Sequence, residues 1–185
     1  MVMANKGQWH QPIMLRQLGL DGEPIQHPSA IENVNLHNPD DWNFIHQAMQ
    51  DVVHKGTGGF RNTGSAYYYI AREGNMAYHM AGKSGTAQVV GMPADFDNNA
   101  EIEERFRDHA LFIAFAPVEN PQIAVAVFVE HGEGGSSVAG PIAKEVLDAY
   151  LLDEFGQLKR EYMTQAQLQQ LSAIEELPEN RGEEL

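Results

Sequence analysis

Lys83-Ser84-Gly85-Thr86-Ala87-Gln88, continuing as Val89-Val90-Gly91, is the stretch that decides how this 185-residue chain is read. Its neighbours favour a strand over a helix. On an exposed strand, a lysine followed by hydroxyl, glycine and hydroxyl combines three capacities. The ammonium supplies positive charge, the hydroxyls of Ser84 and Thr86 can hold a carboxylate, and Gly85 lets a ligand backbone come close. A rival reading uses the same residues. Ala77-Tyr78-His79-Met80-Ala81-Gly82-Lys83-Ser84 matches the loose form of a nucleotide phosphate loop, with alanine in place of the first glycine. Such a loop opens a helix whose N-terminus faces the phosphates. Here Gly85, Val89, Val90, Gly91 and Pro93 follow, which is poor helix material, and bulky Tyr78 and Met80 fall inside the supposed loop. The strand reading is preferred.

Downstream, His109–Ala116 and Gln122–Glu130 are strand-like runs joined by Pro117-Val118-Glu119-Asn120-Pro121, short enough for an antiparallel hairpin. Ile123, Val125, Val127 and Val129 alternate with alanine and Phe128, which predicts burial on both faces under helices on each side. Gly132-Glu133-Gly134-Gly135-Ser136-Ser137 is a loop leading into a helix, with Ser136 or Ser137 as the cap and Pro141 in the first turns. Ile142, Val146, Ala149 and Tyr150 form its expected apolar stripe, widened by Leu147 and Leu151. Gln165 to Glu176 reads as a weaker helix.

Upstream, residues 1–40 are rich in turn formers around the apolar patch Ile13-Met14-Leu15, giving loops with one or two short strands. Asn38-Pro39-Asp40-Asp41 starts a helix whose stripe is Trp42, Ile45, Met49, Val52 and Val53, ending by Gly56 before the Gly58-Gly59 loop. Tyr67-Tyr68-Tyr69-Ile70-Ala71 is expected to pack behind the Lys83 strand, as core rather than as a ligand platform. Pro93 to Asn99 reads as a loop, and Glu101–Arg107 as one or two helical turns.

Composition narrows the function classes. Hydrophobic residues at 43% and charged residues at 21% describe a chain able to bury a core. The net charge of −14, with no basic cluster, disfavours nucleic acid. Cysteine is absent, so disulfides and thiolate metal sites are excluded. No apolar run reaches the ~18 residues needed to cross a bilayer. The first residues lack the pattern of a secretion signal. The eight histidines make no pair at ligand spacing, and His46 and His54 are expected at the surface or half-buried. Asp95, Asp97 and Glu101 to Glu104 read as a solvated face. Glu175, Glu176, Glu179, Glu183 and Glu184 read as a mobile acidic end.

The ordered set of elements carries more than the tetrapeptide. Lys83-Ser84-Gly85-Thr86 resembles the third box of the penicillin-binding proteins, and Arg107–Pro117 and Ile123–Gly132 resemble the two strands that follow it. Gly134-Gly135-Ser136-Ser137, Pro141-Ile142-Ala143 and Leu147–Leu151 resemble the closing helix. Met3-Ala4-Asn5-Lys6-Gly7 resembles the turn that leads into this region. The resemblance is to the class B transpeptidases of rod-shape elongation, the penicillin-binding protein 2 group, and covers roughly residues 1–152. It implies an α+β fold, the C-terminal portion of the transpeptidase (serine β-lactamase-like) architecture, with 153–185 as an acidic, partly helical or disordered tail.

By that resemblance the parent enzyme is a serine D,D-transpeptidase of peptidoglycan, sensitive to β-lactams. It would act at the periplasmic face of the bacterial inner membrane beside membrane proteins of the elongation complex, and it would need no cofactor or metal. Lys83 and Thr86 would be catalytic, with the Thr86 N–H in the oxyanion hole. Ser84, Gly85, Thr86 and Gln88 would bind the stem peptide or a β-lactam. The family's first two boxes are missing: Ser29, Ser65, Ser84, Ser136, Ser137 and Ser172 are none of them followed by lysine at the third position, and no Ser-x-Asn or Ser-x-Asp occurs. The expectation is therefore a C-terminal piece that forms no acyl-enzyme alone and exposes apolar sheet surface. The alternative is a non-catalytic binding or scaffold module that pairs with a chain carrying the other boxes.

Overall fold

The computed structural model describes residues 1–12, 31–56, 63–72, 74, 76–91 and 102–175. The expectations for Ile13–Leu15, Gly58-Gly59, Asn75, Pro93–Asn99, Glu101 and the acidic end from Glu176 lie outside the described residues. The chain divides into two compact units, Met1–Ala48 and Met49–Leu185.

In the first unit, strands β1 (Gln8–His10) and β2 (Ile31–Asn33) pair antiparallel, with Trp9 opposite Glu32. Gly7 precedes β1 at φ 99°, and a Cβ there would lie 2.5 Å from the Val34 carbonyl oxygen and 2.8 Å from the Trp42 ring. Only glycine meets both demands. Helix α1 (Asp41–His54) begins where its composition predicts, with the Asp40 N–H donating to Asn38 Oδ1 at 3.1 Å. Trp42 is buried, as its place in the stripe requires. His46 is buried too, its Nε2 2.6 Å from the Met3 carbonyl oxygen, deeper than the surface or half-buried position expected, whereas His54 is half-buried as expected.

The second unit is built on a three-stranded antiparallel sheet in the order β3-β4-β5, from β3 (Ala81–Ala87), β4 (His109–Ala116) and β5 (Ile123–Val129). The registers set Ser84 opposite Phe112 and Val127, and Lys83 opposite Ile113 and Ala126. Directly opposed residues share a face. One face therefore carries Gly82, Ser84, Thr86, Ala110, Phe112, Ala114 and Val127, and the other Lys83, Gly85, Ile113, Ala126 and Phe128.

The first face is covered by helix α3 (Gly140–Leu151), entered through a π-helical turn at Gly135–Ala139. The core holds Phe112, Met80, Leu147 and Leu151 without solvent contact, and Tyr78, Ile70, Ala66 and Val53 pack into it. Each fully buried large side chain contributes about 1.5–3 kcal/mol. Small residues let helix and sheet approach closely. A Cβ on Gly82 would sit 2.6 Å from the Phe112 ring, and one on Gly140 3.1 Å from Ile70 Cδ1.

Two expectations for this unit are corrected. The buried stripe of α3 is Gly140, Ala143, Leu147 and Leu151, whereas Ile142, Val146 and Tyr150 are 43–44% exposed. The second face of the sheet is covered only in part: Phe115 and its partner Ala81 are buried, whereas Ile113 is 47% exposed and Phe128 55%. Helicity also begins earlier than a Ser136 or Ser137 cap would allow, and the residue capping α3 is Ala139, without a side-chain bond. Helix α4 (Gln165–Glu175) and a single 3-10 turn at Glu104–Phe106 match the weaker expectations.

Candidate acyl-transfer cleft

β3 lies at an edge of the three-stranded sheet, so among the described residues one side of it is free of strand pairing. Side chains alternate along it, and the face shared with α3 receives Ser84 and Thr86. Both line a cleft of about 490 Å³. A second wall comes from the turn Thr63-Gly64-Ser65 and from the short helix α2 (Tyr67–Ile70), through Tyr68 and Tyr69. The approach to α3, Gly134-Gly135-Ser136-Ser137, closes it.

Each wall is fixed by backbone contacts. The Gly64 N–H donates to the Lys55 carbonyl at 2.8 Å, and the Ala66 N–H to the Val52 carbonyl at 3.0 Å. A Cβ on Gly64 would fall 2.1 Å from the Asp51 carbonyl oxygen, so only glycine lets this turn lie against α1. On the other side, a Cβ on Gly135 would stand 2.5 Å from the carbonyl oxygens of both Gly85 and Leu111. The loop before α3 thus rests directly on the backbone of the Lys-Ser-Gly-Thr strand.

The predicted residues separate by position. Ser84 and Thr86 point into the cleft, and Gly85 lies between them with its backbone under Gly135. Lys83 projects from the other face, exposed, with Nζ donating to the Ser84 carbonyl at 2.6 Å. Gln88, one residue beyond β3, is exposed and is not part of the lining. Tyr68 and Tyr69 correct the expectation of core packing, being 50% and 54% exposed and part of the cleft wall. Ser65, Ser136 and Ser137 are also lining residues that the sequence did not single out as ligand contacts. The Gly-Gly-Ser-Ser run held the only signal, because paired glycines before hydroxyls suit a close backbone approach.

The chemistry of the cleft is that of neutral hydroxyls. Ser65 and Ser136 face each other at 3.5 Å between their Oγ atoms. Among the described lining residues there is no imidazole, amine or carboxylate to activate a serine. Behind β3, the Met80 N–H donates to His54 Nε2 at 3.0 Å, so that nitrogen carries no proton. Burial lowers the His54 pKa from its ordinary value, and nearby His79 adds to the effect. The Tyr78 hydroxyl, held well above its usual range by burial and by Asp148, donates to Asp148 Oδ1 at 2.6 Å.

Residues 1–148 match the family model described as the penicillin binding protein transpeptidase domain. The chain belongs to the penicillin-binding protein transpeptidase family. Its similarity within that family is to the penicillin-binding protein 2 branch. The peptidoglycan D,D-transpeptidase MrdA of Haemophilus influenzae is 32% identical over 161 residues, 86% of this chain. That of Escherichia coli K12 is 36% identical over 157 residues, 83% of the chain. The chain spans 23% of the length of each of these relatives. A crystal structure of Pseudomonas aeruginosa PBP2, solved in complex with WCK 5153, is 44% identical with a TM-score of 0.63, covering 87% of this chain and 30% of that one. Helicobacter pylori PBP2, solved in complex with MreC, is 28% identical with a TM-score of 0.50, covering 69% and 20%. The α+β architecture of this chain is that of its relatives.

Proposed function

We propose that this chain forms the Lys-Ser-Gly-Thr side of a peptidoglycan D,D-transpeptidase cleft, working with a nucleophilic serine outside these 185 residues. The observation that carries the reading is the placement of Ser84 and Thr86 side by side on a strand face opening to the cleft, within a chain of this family. In the reaction, the serine Oγ would attack the carbonyl carbon of the penultimate D-alanine. The amide C–N bond breaks and terminal D-alanine leaves with a proton. An amine of a neighbouring strand then attacks the ester, forming the cross-link and releasing the serine. Ser84 and Thr86 would hold the substrate carboxylate, and the Thr86 N–H would stabilise the oxyanion.

The family role of Lys83 is to supply positive potential and bond the serine of the second box, helping proton transfer to the leaving group. With its Nζ on the Ser84 carbonyl outside the cleft, that role would require the side chain to turn around the edge of β3. Gly85 would offer its backbone between the two hydroxyls, under Gly135, and Gln88 would meet ligand only beyond the cleft. A β-lactam would enter as a mimic of the D-Ala-D-Ala end. The whole enzyme would act at the periplasmic face of the inner membrane. The complex of H. pylori PBP2 with MreC supports a protein partner for the whole enzyme. Among the described residues, no helix is long and apolar enough to cross a membrane.

Carboxylate recognition is tested on the 185-residue chain by titrating an N-acyl-D-Ala-D-Ala peptide against its terminal carboxamide. Charge-assisted hydrogen bonds predict roughly tenfold or greater preference for the acid, lost in Ser84→Ala/Thr86→Val. Equal binding of acid and amide contradicts the reading. Because the cleft lining lacks a base, the chain by itself should form no adduct with a fluorescent penicillin. A stoichiometric covalent product would show that the nucleophile is within it.

A further inference from the structure

The loop that closes the cleft leaves β5 through an unusual backbone. His131 and Glu133 stand at φ 56° and 60°. Non-glycine residues seldom enter this left-handed region, and they stay there only where surrounding contacts enforce it. Those contacts come from three consecutive residues leading into β4. The His131 N–H donates to His109 Nδ1 at 3.0 Å, and the Glu133 N–H to the Asp108 carbonyl at 2.8 Å. His131 Nδ1 lies 3.1 Å from the Arg107 carbonyl. A carbonyl only accepts, so His131 Nδ1 carries its proton; His109 Nδ1 accepts, so it carries none. The Arg107 guanidinium and Glu133 carboxylate, 3.9 Å apart and open to solvent, add little.

Two of these three anchors are backbone carbonyls, which any residue supplies. His109 is the one side-chain acceptor among them. Its ring is half-buried between those of His131 and Phe128, with centroids 4.9 and 5.0 Å away. The register sets His109 opposite Ala87, on the sheet face of Lys83 and Phe128 rather than on that of Ser84 and Thr86. It is not part of the cleft lining. Immediately after the anchored turn, Gly134 to Ser137 line the cleft, with Gly135 resting on the Gly85 and Leu111 carbonyls. Release of the turn would move that wall relative to Ser84 and Thr86.

We propose that His109 is a positioning residue of the acyl-transfer cleft. Its Nδ1 latches the left-handed turn at 131–133 and so sets where Gly134 to Ser137 stand against the Lys-Ser-Gly-Thr strand. The importance of that wall rests on the cleft reading given under Proposed function; the latch itself does not. The task belongs to the acceptor lone pair of Nδ1, not to the bulk of the ring.

The test separates those two contributions in the 185-residue chain. His109→Asn keeps an acceptor, its Oδ1, and removes the ring. His109→Phe keeps a ring against Phe128 and removes the acceptor. Three quantities are read in each: amide exchange at His131, the amide resonances of Gly134 to Ser137, and the dissociation constant of an N-acyl-D-Ala-D-Ala peptide. His109→Phe should speed His131 exchange roughly tenfold, shift the wall resonances and weaken the peptide roughly five- to tenfold. His109→Asn should behave as wild type. Long-range proton–nitrogen spectra of wild type should show Nδ1 of His109 unprotonated, a readout that needs no variant. A protonated Nδ1, equal effects of the two substitutions, or a larger loss in His109→Asn would overturn the latch. Faster exchange with unchanged peptide affinity would overturn the positioning role and leave the cleft reading standing. If wild type binds no peptide, the cleft reading itself fails and takes the positioning role with it, whatever the exchange at His131.

Discussion

Tyr78 shows how one side chain can hold together elements distant in sequence. It is 4% exposed, precedes β3 by three residues and donates its hydroxyl to Asp148 on α3, which also pairs with Lys144 one helical turn away. The phenol brings a large apolar surface into the core, and Asp148 keeps its one polar atom from being buried unpaired. Tyr78→Phe should lower stability by about 1–2 kcal/mol, because the lost hydrogen bond leaves Asp148 with Lys144. Asp148→Ala should cost more, since it strands the buried hydroxyl and the Lys144 ammonium together. Denaturant midpoints of the two variants check this, and the opposite order would mean that the bond contributes little. In sequence Tyr78 reads as an awkward residue in a false phosphate loop; its partner is 70 positions away and leaves no local trace.

At the scale of elements, the junction between α1 and β3 depends on a neutral imidazole. His54, at the last position of α1, accepts the Met80 N–H one residue before β3 begins. The groups facing it are His79, whose ring meets it edge-on at 5.4 Å, and Glu119, which pairs with His79. Burial and then His79 depress the His54 pKa, and Glu119 acts more weakly to raise it; the Met80 N–H, by donating to Nε2, favours the neutral ring. A folded-state value below the unfolded one means that the unfolded chain binds the proton more readily. The stabilisation is therefore complete above the ordinary histidine range and is lost as pH falls through it towards the lower folded value. Urea midpoints should drop between about pH 7.5 and about pH 5.5, and His54→Gln, which can still accept the N–H, should flatten that drop. An unchanged pH profile in the variant would assign the effect to another group. The helix itself was legible from the Trp42-to-Val53 stripe. The tether was not, because a histidine at a helix end has the same sequence signature whether it meets solvent or a backbone N–H.

At the scale of the whole molecule, the sheet is packed along one face and, among the described residues, only in part along the other, where Phe115 and Ala81 are buried. The α3 side is packed, and the other side exposes Ile113 and Phe128 near Lys83. β3 and β5 also present edges to which other strands can add. A net charge of −14 opposes self-association while salt is low, and screening removes that protection. Light scattering should therefore show association rising with salt. Ile113→Thr/Phe128→Thr should suppress it without altering the circular dichroism spectrum. If the variant associates as wild type does, the contact lies elsewhere, with the strand edges the next candidates.

The sequence by itself determined the strand at Lys83, the β4–β5 hairpin, the helices and the family, because these depend on local periodicity, turn residues and the order of elements. Only the tertiary structure decided which face of each element is covered. Period-two and helical patterns say that a stripe is apolar, not what packs against it, so Ile142, Val146, Ile113 and Phe128 read as core and lie exposed. The same limit hid the second wall of the cleft. Ser65, Tyr68, Tyr69 and Ser136 reach Ser84 and Thr86 only through α3, α2 and the 63–66 turn closing on the sheet, where backbone approaches permitted by glycine replace any pattern along the chain.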